Sequence, residues 1–486
     1  MKRYISLDFL RGCAIMGVIG FHLLNESYNA DLAVEAAIDA TNIPFILLIV
    51  ILGYMGTFFP LFIALSGLVN IVSMSKRINR KITPETSEDE KSKVYKNTFI
   101  GQLIRGLFII MMGYLSESML NGGLLSYLLR EGTFADGTLQ GEFVRPLFFT
   151  QILVMIGLSV IIISAIYIIL LKKGGSVSEI VKFLGRLAIV VIILTPILIL
   201  IFKYGMPDFW DRPSTDWAER TFSLNVLYFF LTPLVIDFNP LFPNLAAMLI
   251  GTIIGLNIAD GDVKKKFSDK IIYSTIIMFV IGFFYKIIDM VIGDSIDLSE
   301  FRVGEFLLTT AGSVLLLMII IYMVDVRGKG KKFAKRTVTF RRFGIMTLTL
   351  WCLQWLVILP LTLLQLIINL VTDSWVYLHN GPFLNLGLSG WELLGTVAYV
   401  MLFYHLILWL WQKAEFKGSL EWLTVKLMST KRRKASGRLS GSLYEVESIV
   451  EEPKEYYGRG TKIGLILIWF AFAFFYVISA ILGGGL

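Results

Sequence analysis

Cysteine and histidine are nearly absent from this chain, at two and three residues among 486. Cys13 and Cys352 both stand in apolar stretches, which leaves no disulfide framework and makes them small core residues. His22, His379 and His405 are too widely separated for a spaced ligand motif, so no metal is expected. The HExxH, P-loop and GxSxG signatures are missing as well. Charge is scarce: Asp, Glu, Lys and Arg supply 17% of residues against 56% hydrophobic, with a mean hydropathy of +0.71. That balance, with 36 Phe and 10 Trp, excludes a soluble enzyme and specifies an integral membrane protein. No internal repeat is visible. No cleavable leader is expected either, because Asp8 and Arg11 interrupt the first apolar run and no small-residue cleavage site follows.

What the chain does have is long apolar runs. At roughly 20 residues per crossing they give about eleven spans. These lie near 5–24, 56–75, 98–116, 147–171, 187–204, 241–258, 271–292, 305–325, 345–369, 392–413 and 463–482. The expected fold is an all-α polytopic membrane protein, with a ten-helix body over 1–428, a cytoplasmic linker over 429–461 and an additional C-terminal helix over 462–486. The linker is rich in Ser, Gly and Glu and has low core-forming power. Two apolar segments, 43–55 and 222–237, would break the alternation of loop charge, and read as half-helices or elements buried against the bundle.

The formal net charge of +8 has a sidedness that points to a bilayer and not to nucleic acid. Basic residues crowd into alternate loops: Lys76 to Lys96, Lys264 to Lys270, Arg327 to Arg342, and Lys431 to Lys434. The opposite loops hold no lysine and a few arginines. A multi-pass protein of the cell membrane follows, its N-terminus cytoplasmic and its C-terminus extracytoplasmic.

Against this apolar background the first span is unusual. Ten residues separate Arg11 from His22, which puts them on nearly one helical face, about 16 Å apart along the axis. Asp8 lies three residues before Arg11 and can partner it there. Ionisable groups are expensive in hydrocarbon, so such a seam marks a functional site. The bland alternatives are a core histidine and a structural Asp–Arg pair. His22 is the candidate general base, and Arg11 the candidate anchor for an anionic group, since guanidinium suits phosphate. Arg105, with Gln102 one turn earlier, and Arg341 and Arg342 complete a ring of positive charge at the cytoplasmic mouth. Positive-inside topology alone would also place arginines there. His405, among Leu and Trp, reads as core. His379 sits in the turn-forming stretch Leu378-His379-Asn380-Gly381-Pro382, and Lys286 and Asp289 read as a local ion pair.

The stretch Ser6-Leu7-Asp8-Phe9-Leu10-Arg11-Gly12, ending at Phe21-His22, resembles the first helix of the transmembrane acyltransferase superfamily. That group includes acyltransferase-3, heparan-alpha-glucosaminide N-acetyltransferase and YeiB-like proteins. Shorter stretches agree in order: Thr57 to Gly67, Arg105, Gln151 to Gly157, Asn239 to Pro243 with Gly251 and Gly255, Gly344 to Thr349 with Gln354, and Phe416 to Leu423. The resemblance covers about residues 1–428. It implies transfer of an acyl group, most simply acetyl from acetyl-CoA on the cytoplasmic side, to a hydroxyl or amine of a glycan or glycolipid on the far side. His22 would take the acceptor's proton or carry the acyl group, Asp8 would fix Arg11, and Arg11, Arg105, Arg341 and Arg342 would hold the acyl-CoA. A homodimer is compatible with this reading. A transporter, or a non-catalytic membrane scaffold of the same fold, is the alternative. Transporters often show repeated halves, which this chain lacks.

Overall fold

Two capping boxes begin the longest helices well outside the apolar runs. Ser87 accepts the Glu90 backbone N–H (3.4 Å) while the Glu90 carboxylate accepts that of Ser87 (3.3 Å). Ser176 and Glu179 repeat the arrangement. Each box satisfies N–H groups that a helix start otherwise leaves orphaned. The 29-residue helices Glu88–Ser116 and Val177–Gly205 therefore start about ten residues earlier than hydropathy alone places them.

The computed structural model describes residues 3–27, 54, 59–121, 145–148, 151–206, 220–235, 239–260, 263–292, 303–372, 390–427, 443, 446–447 and 453–482. The apolar segment 43–55 lies outside them but for Tyr54. In chain order the helices are α1 (Ile5–Ser27), α2 (Phe59–Asn79), α3 (Glu88–Ser116), α4 (Ile152–Lys172), α5 (Val177–Gly205), α6 (Phe222–Val235), α7 (Leu241–Ala259), α8 (Lys265–Ile292) and α9 (Val303–Ile321). They continue as α10 (Gly330–Arg336), α11 (Val338–Ile345), α12 (Thr347–Leu353), α13 (Ile358–Thr372), α14 (Gly390–Lys413), α15 (Leu420–Leu427) and α16 (Arg459–Leu482). Among the described residues, strand is confined to one parallel pair, β1 (Arg3–Tyr4) with β2 (Val446–Glu447).

Nine helices among the described residues are long and apolar enough to cross a membrane. Their outward faces are apolar too. Ile100, Ile104, Leu107, Met111 and Leu115 run down the exposed face of α3, and Ile189, Ile193, Ile197 and Leu200 down that of α5. Meanwhile Asn70, Gln102, Ser164 and Asp325 are buried. Apolar stripes outside and polar groups inside are what hydrocarbon requires of a bundle. The chain is a multi-pass, all-α membrane protein.

Packing is built around α2 and α7. Gly67 of α2 faces α7, and a Cβ on Gly251 of α7 would lie 1.9 Å from the Ala64 carbonyl oxygen, so the two backbones touch. α7 is buried along most of its length. α4 and α5 pack on one flank of this pair, while α1, α9, α11 and α14 share a core on the other. α6 is a 14-residue helix, too short to span. The segment expected as one span over 345–369 is instead broken into α11, α12, a 3-10 turn (Gln354–Val357) and α13. The break has a partner. Glu421 accepts the backbone N–H of Leu348 (2.6 Å) and of Thr349 (3.2 Å), and the Thr349 hydroxyl (2.5 Å). These bonds give α12 a fresh N-terminus mid-segment.

Candidate functional site

The seam on α1 is positioned by one helix crossing. A Cβ on Gly12 would lie 1.8 Å from the Phe340 carbonyl oxygen, and one on Gly344 would lie 1.8 Å from that of Asp8. Only paired glycines let α1 and α11 approach so closely, the small-residue packing common between helices in lipid. The crossing buries Arg341 completely, at 0% exposure.

Three groups surround that region. Asp8 is 5% exposed and Asp325 1%. Asp325 belongs to the π-helical turn Tyr322–Val326 that ends α9. Its carboxylate faces the hydroxyl and the backbone N–H of Ser6, and lies in electrostatic range of Asp8 and Arg341. The Ser6 N–H is one of the first four of α1 and has no partner within its own helix. Asp325 thus lies against the first turn of α1 from a different helix, where a carboxylate meets the positive end of the helix dipole. The buried Arg341 guanidinium offsets part of the Asp325 charge.

A second cluster forms one turn further along. Arg105 of α3 donates to Asn70 Oδ1 of α2 (3.3 Å), and Asn70 donates to Ser164 Oγ of α4 (3.4 Å). Arg105 is in repulsive range of Arg11 and Arg77. Arg105 thus feels the charge of one guanidinium on α1 and another on α2. Beside them Gln102 is 0% exposed, and neither its amide nitrogen nor its oxygen has a hydrogen-bond partner among the described residues. Arg105 Nε lacks one as well. Like charges and unsatisfied amides at this depth are costly unless an anion or water completes them.

Arg11 is half-buried. His22 is half-buried on the same face of α1, beside the Phe21 ring at 6.3 Å. It lies about 25 Å from the start of the helix. Arg342 stands apart: its Nε donates to Gln412 Oε1 of α14 (2.6 Å), and it is in electrostatic range of His405. The expected ring of arginines is thus divided. Arg11 lies in range of Arg105, Arg341 in range of Asp325, and Arg342 faces α14. Asp325 and Arg77 were not singled out from sequence. Asp325 closes the eighth apolar run and reads there as an end-of-span charge, since Ser6, Asp8 and Arg341 are all distant in sequence. Arg77 reads as one more loop cation. His379 and the side chains of Asn25, Glu26 and Asp289 lie outside the described residues.

The segments Gly344–Thr349 and Phe416–Leu423 meet through Glu421 and Thr349, whose hydroxyl accepts the Leu420 backbone N–H (2.9 Å). Among the described residues no three His, Cys, Asp or Glu side chains converge. Comparison of the chain with family models, curated proteins and solved structures finds no match.

Proposed function

We propose that this protein is a membrane-embedded acyltransferase that moves an acyl group, most simply acetyl, from acyl-CoA to a hydroxyl or amine of an extracytoplasmic acceptor, a glycan or glycolipid. The observation that carries the reading is that Arg105 lies in repulsive range of Arg11 and Arg77 beside the buried Gln102, whose amide has no partner among the described residues, with Arg11 on the α1 face that leads to His22. Guanidiniums in range of one another fit the phosphates of a CoA, and Arg105 Nε and the Gln102 amide have no hydrogen-bond partner among the described residues. In this reading Arg341 holds Asp8 and Asp325 in place, and Arg342 shapes the mouth beside α14.

The chemistry then needs one base. The acceptor's oxygen or nitrogen attacks the thioester carbonyl, its proton passes to His22, the carbon–sulfur bond breaks, and the thiol leaves with a proton returned from the imidazole. Loop charge supports the orientation: eleven crossings in the cell membrane, the basic loops and N-terminus cytoplasmic, the C-terminus outside. His22 then lies toward the outer side, within reach of an external acceptor.

The test is labelled acetyl-CoA with purified full-length protein. Wild type should transfer label and release thiol, and His22→Ala should lose at least about a hundredfold in rate. Undiminished transfer by His22→Ala would remove His22 from the mechanism. Net solute uptake into liposomes without thiol release would favour a transporter.

A further inference from the structure

The region read as a linker does not behave as one where it is described. Leu443 is 1% exposed, and Val446–Glu447 pairs in parallel with Arg3–Tyr4, immediately before α1. Tyr4 in turn lies under Lys76 of α2, 4.6 Å from the ring centroid. Farther on, the Lys454 backbone N–H donates to the Val326 carbonyl (2.9 Å). The Tyr322 hydroxyl oxygen accepts the N–H groups of both Tyr456 (3.0 Å) and Tyr457 (3.1 Å). Tyr456 donates to the Val263 carbonyl (2.6 Å) and Tyr457 to Asp269 (2.7 Å). Glu455 bridges Arg327 (3.2 Å) and Lys462. Pro453 fills the space beside Gly328, where a Cβ would lie 2.8 Å from it.

These anchors fall on three places: the strand that leads into Ser6 and Asp8, the π-helical turn that carries Asp325 with Arg327 and Gly328 just after it, and Val263 and Asp269 at the start of α8. The first two bring together the charged groups at the start of α1. π-helical turns are costly and concentrate at functional sites, so one held at both ends by a separate segment is under deliberate constraint.

We infer that residues 443, 446–447 and 453–458 act together as a strap that clamps the start of α1 to the turn Tyr322–Val326 and so holds Asp325 beside Ser6. The strap precedes α16, whose Phe472 stacks on Phe279 of α8 at 3.5 Å between centroids. The last helix is therefore the strap's outer anchor. This inference stands on packing alone and does not depend on acyl transfer.

The test is hydrogen exchange on the full-length protein in nanodiscs, without substrate. Tyr322→Phe keeps the ring but removes the oxygen that accepts two N–H groups. Glu447→Pro breaks the strand pairing. The amides of Ile5 to Asp8 should exchange at least tenfold faster in both variants, while Leu245 to Leu256 of α7 keep wild-type protection. Unchanged exchange at Ile5 to Asp8 would overturn the inference. So would acceleration confined to residues 453–458, because the segment would then be docked on the body without holding it. Should Glu447→Pro fail to fold, the isosteric Tyr322→Phe decides.

Discussion

Adding one methyl group where α1 crosses α11 should cost more than any other single-carbon change on this face. Gly12→Ala places a Cβ 1.8 Å from the Phe340 carbonyl oxygen, and Gly344→Ala places one 1.8 Å from that of Asp8. Carbon and oxygen need about 3.3 Å, so the helices must part by about 1.5 Å. Both clashes are with backbone, and no rotamer change relieves them. Overpacking of this kind costs about 1–3 kcal/mol, and we expect each variant at the top of that range. Because one separation relieves both clashes, the double variant should cost less than the sum of the two, a negative coupling expected only for neighbours. Gly395→Ala and Gly464→Ala are the controls: nothing lies within 4 Å of either new Cβ. Alanine's better helix propensity should leave them neutral or stabilised by about 0.5–1 kcal/mol. Unfolding in mixed micelles is readable through thiol exposure at Cys352, which is 3% exposed in the folded state. If Gly12→Ala were as harmless as Gly464→Ala, the close crossing, and with it the burial of Arg341, would be refuted.

Three further outcomes are expected. Glu421→Ala should lose about 2–4 kcal/mol by the same assay, since it strands two N–H groups and a hydroxyl that were bonded to a carboxylate, and Glu421→Gln should cost less; equal costs would deny the capping role. Arg105→Gln should weaken CoA binding at least tenfold, read as loss of the CoA-dependent rise in melting temperature, without unfolding the apo protein; a CoA shift equal to wild type would take Arg105 out of the site. The strap should respond to pH at both ends of the scale. Lys462, by hydrogen bond and charge, and then Arg327 hold the Glu455 carboxyl below its ordinary value, so its share of docking is present above about pH 4.3 and lost as pH falls through the lowered value. Burial, and then Asp269, push the Tyr457 phenol up, so its share is present below about pH 10 and lost as pH rises beyond that. Protection of residues 453–458, measured against the intrinsic exchange rate at each pH, should be greatest between these limits, and protection that changes monotonically across them would contradict the assignment.

Hydropathy reveals the helices whose faces meet lipid and those buried among them alike, since both must be apolar. Long exposed runs such as Ile189 to Ile201 are unmistakable in sequence because the bilayer enforces them. The starts of α3 and α5 were also written there, as Ser87-x-x-Glu90 and Ser176-x-x-Glu179, although apolar counting passes over them. The seam of Asp8, Arg11 and His22 was legible because one helix carries all three. What sequence did not show depends on residues brought together from afar. Asp325 reaches Ser6 across more than 300 positions, and Glu421 breaks a helix whose own residues are apolar enough to continue. The strap was hidden for a different reason. Its Ser, Gly and Glu content reads as linker, while the tie is made by backbone N–H groups and a few aromatic residues, Tyr456 and Tyr457 above all, which composition averages away.

In the proposed enzyme an acyl-CoA enters between α1, α2 and α3 with its phosphates on Arg11, Arg77 and Arg105 and its thioester toward His22. Photolabelling of the full-length protein with a photoreactive acyl-CoA is the decisive measurement. Label should fall on peptides from Ile5–Ser27, Phe59–Asn79 and Glu88–Ser116, be displaced by excess CoA and be lost in Arg105→Gln. Label that CoA does not displace, or that falls only on helices away from these three, would contradict this placement.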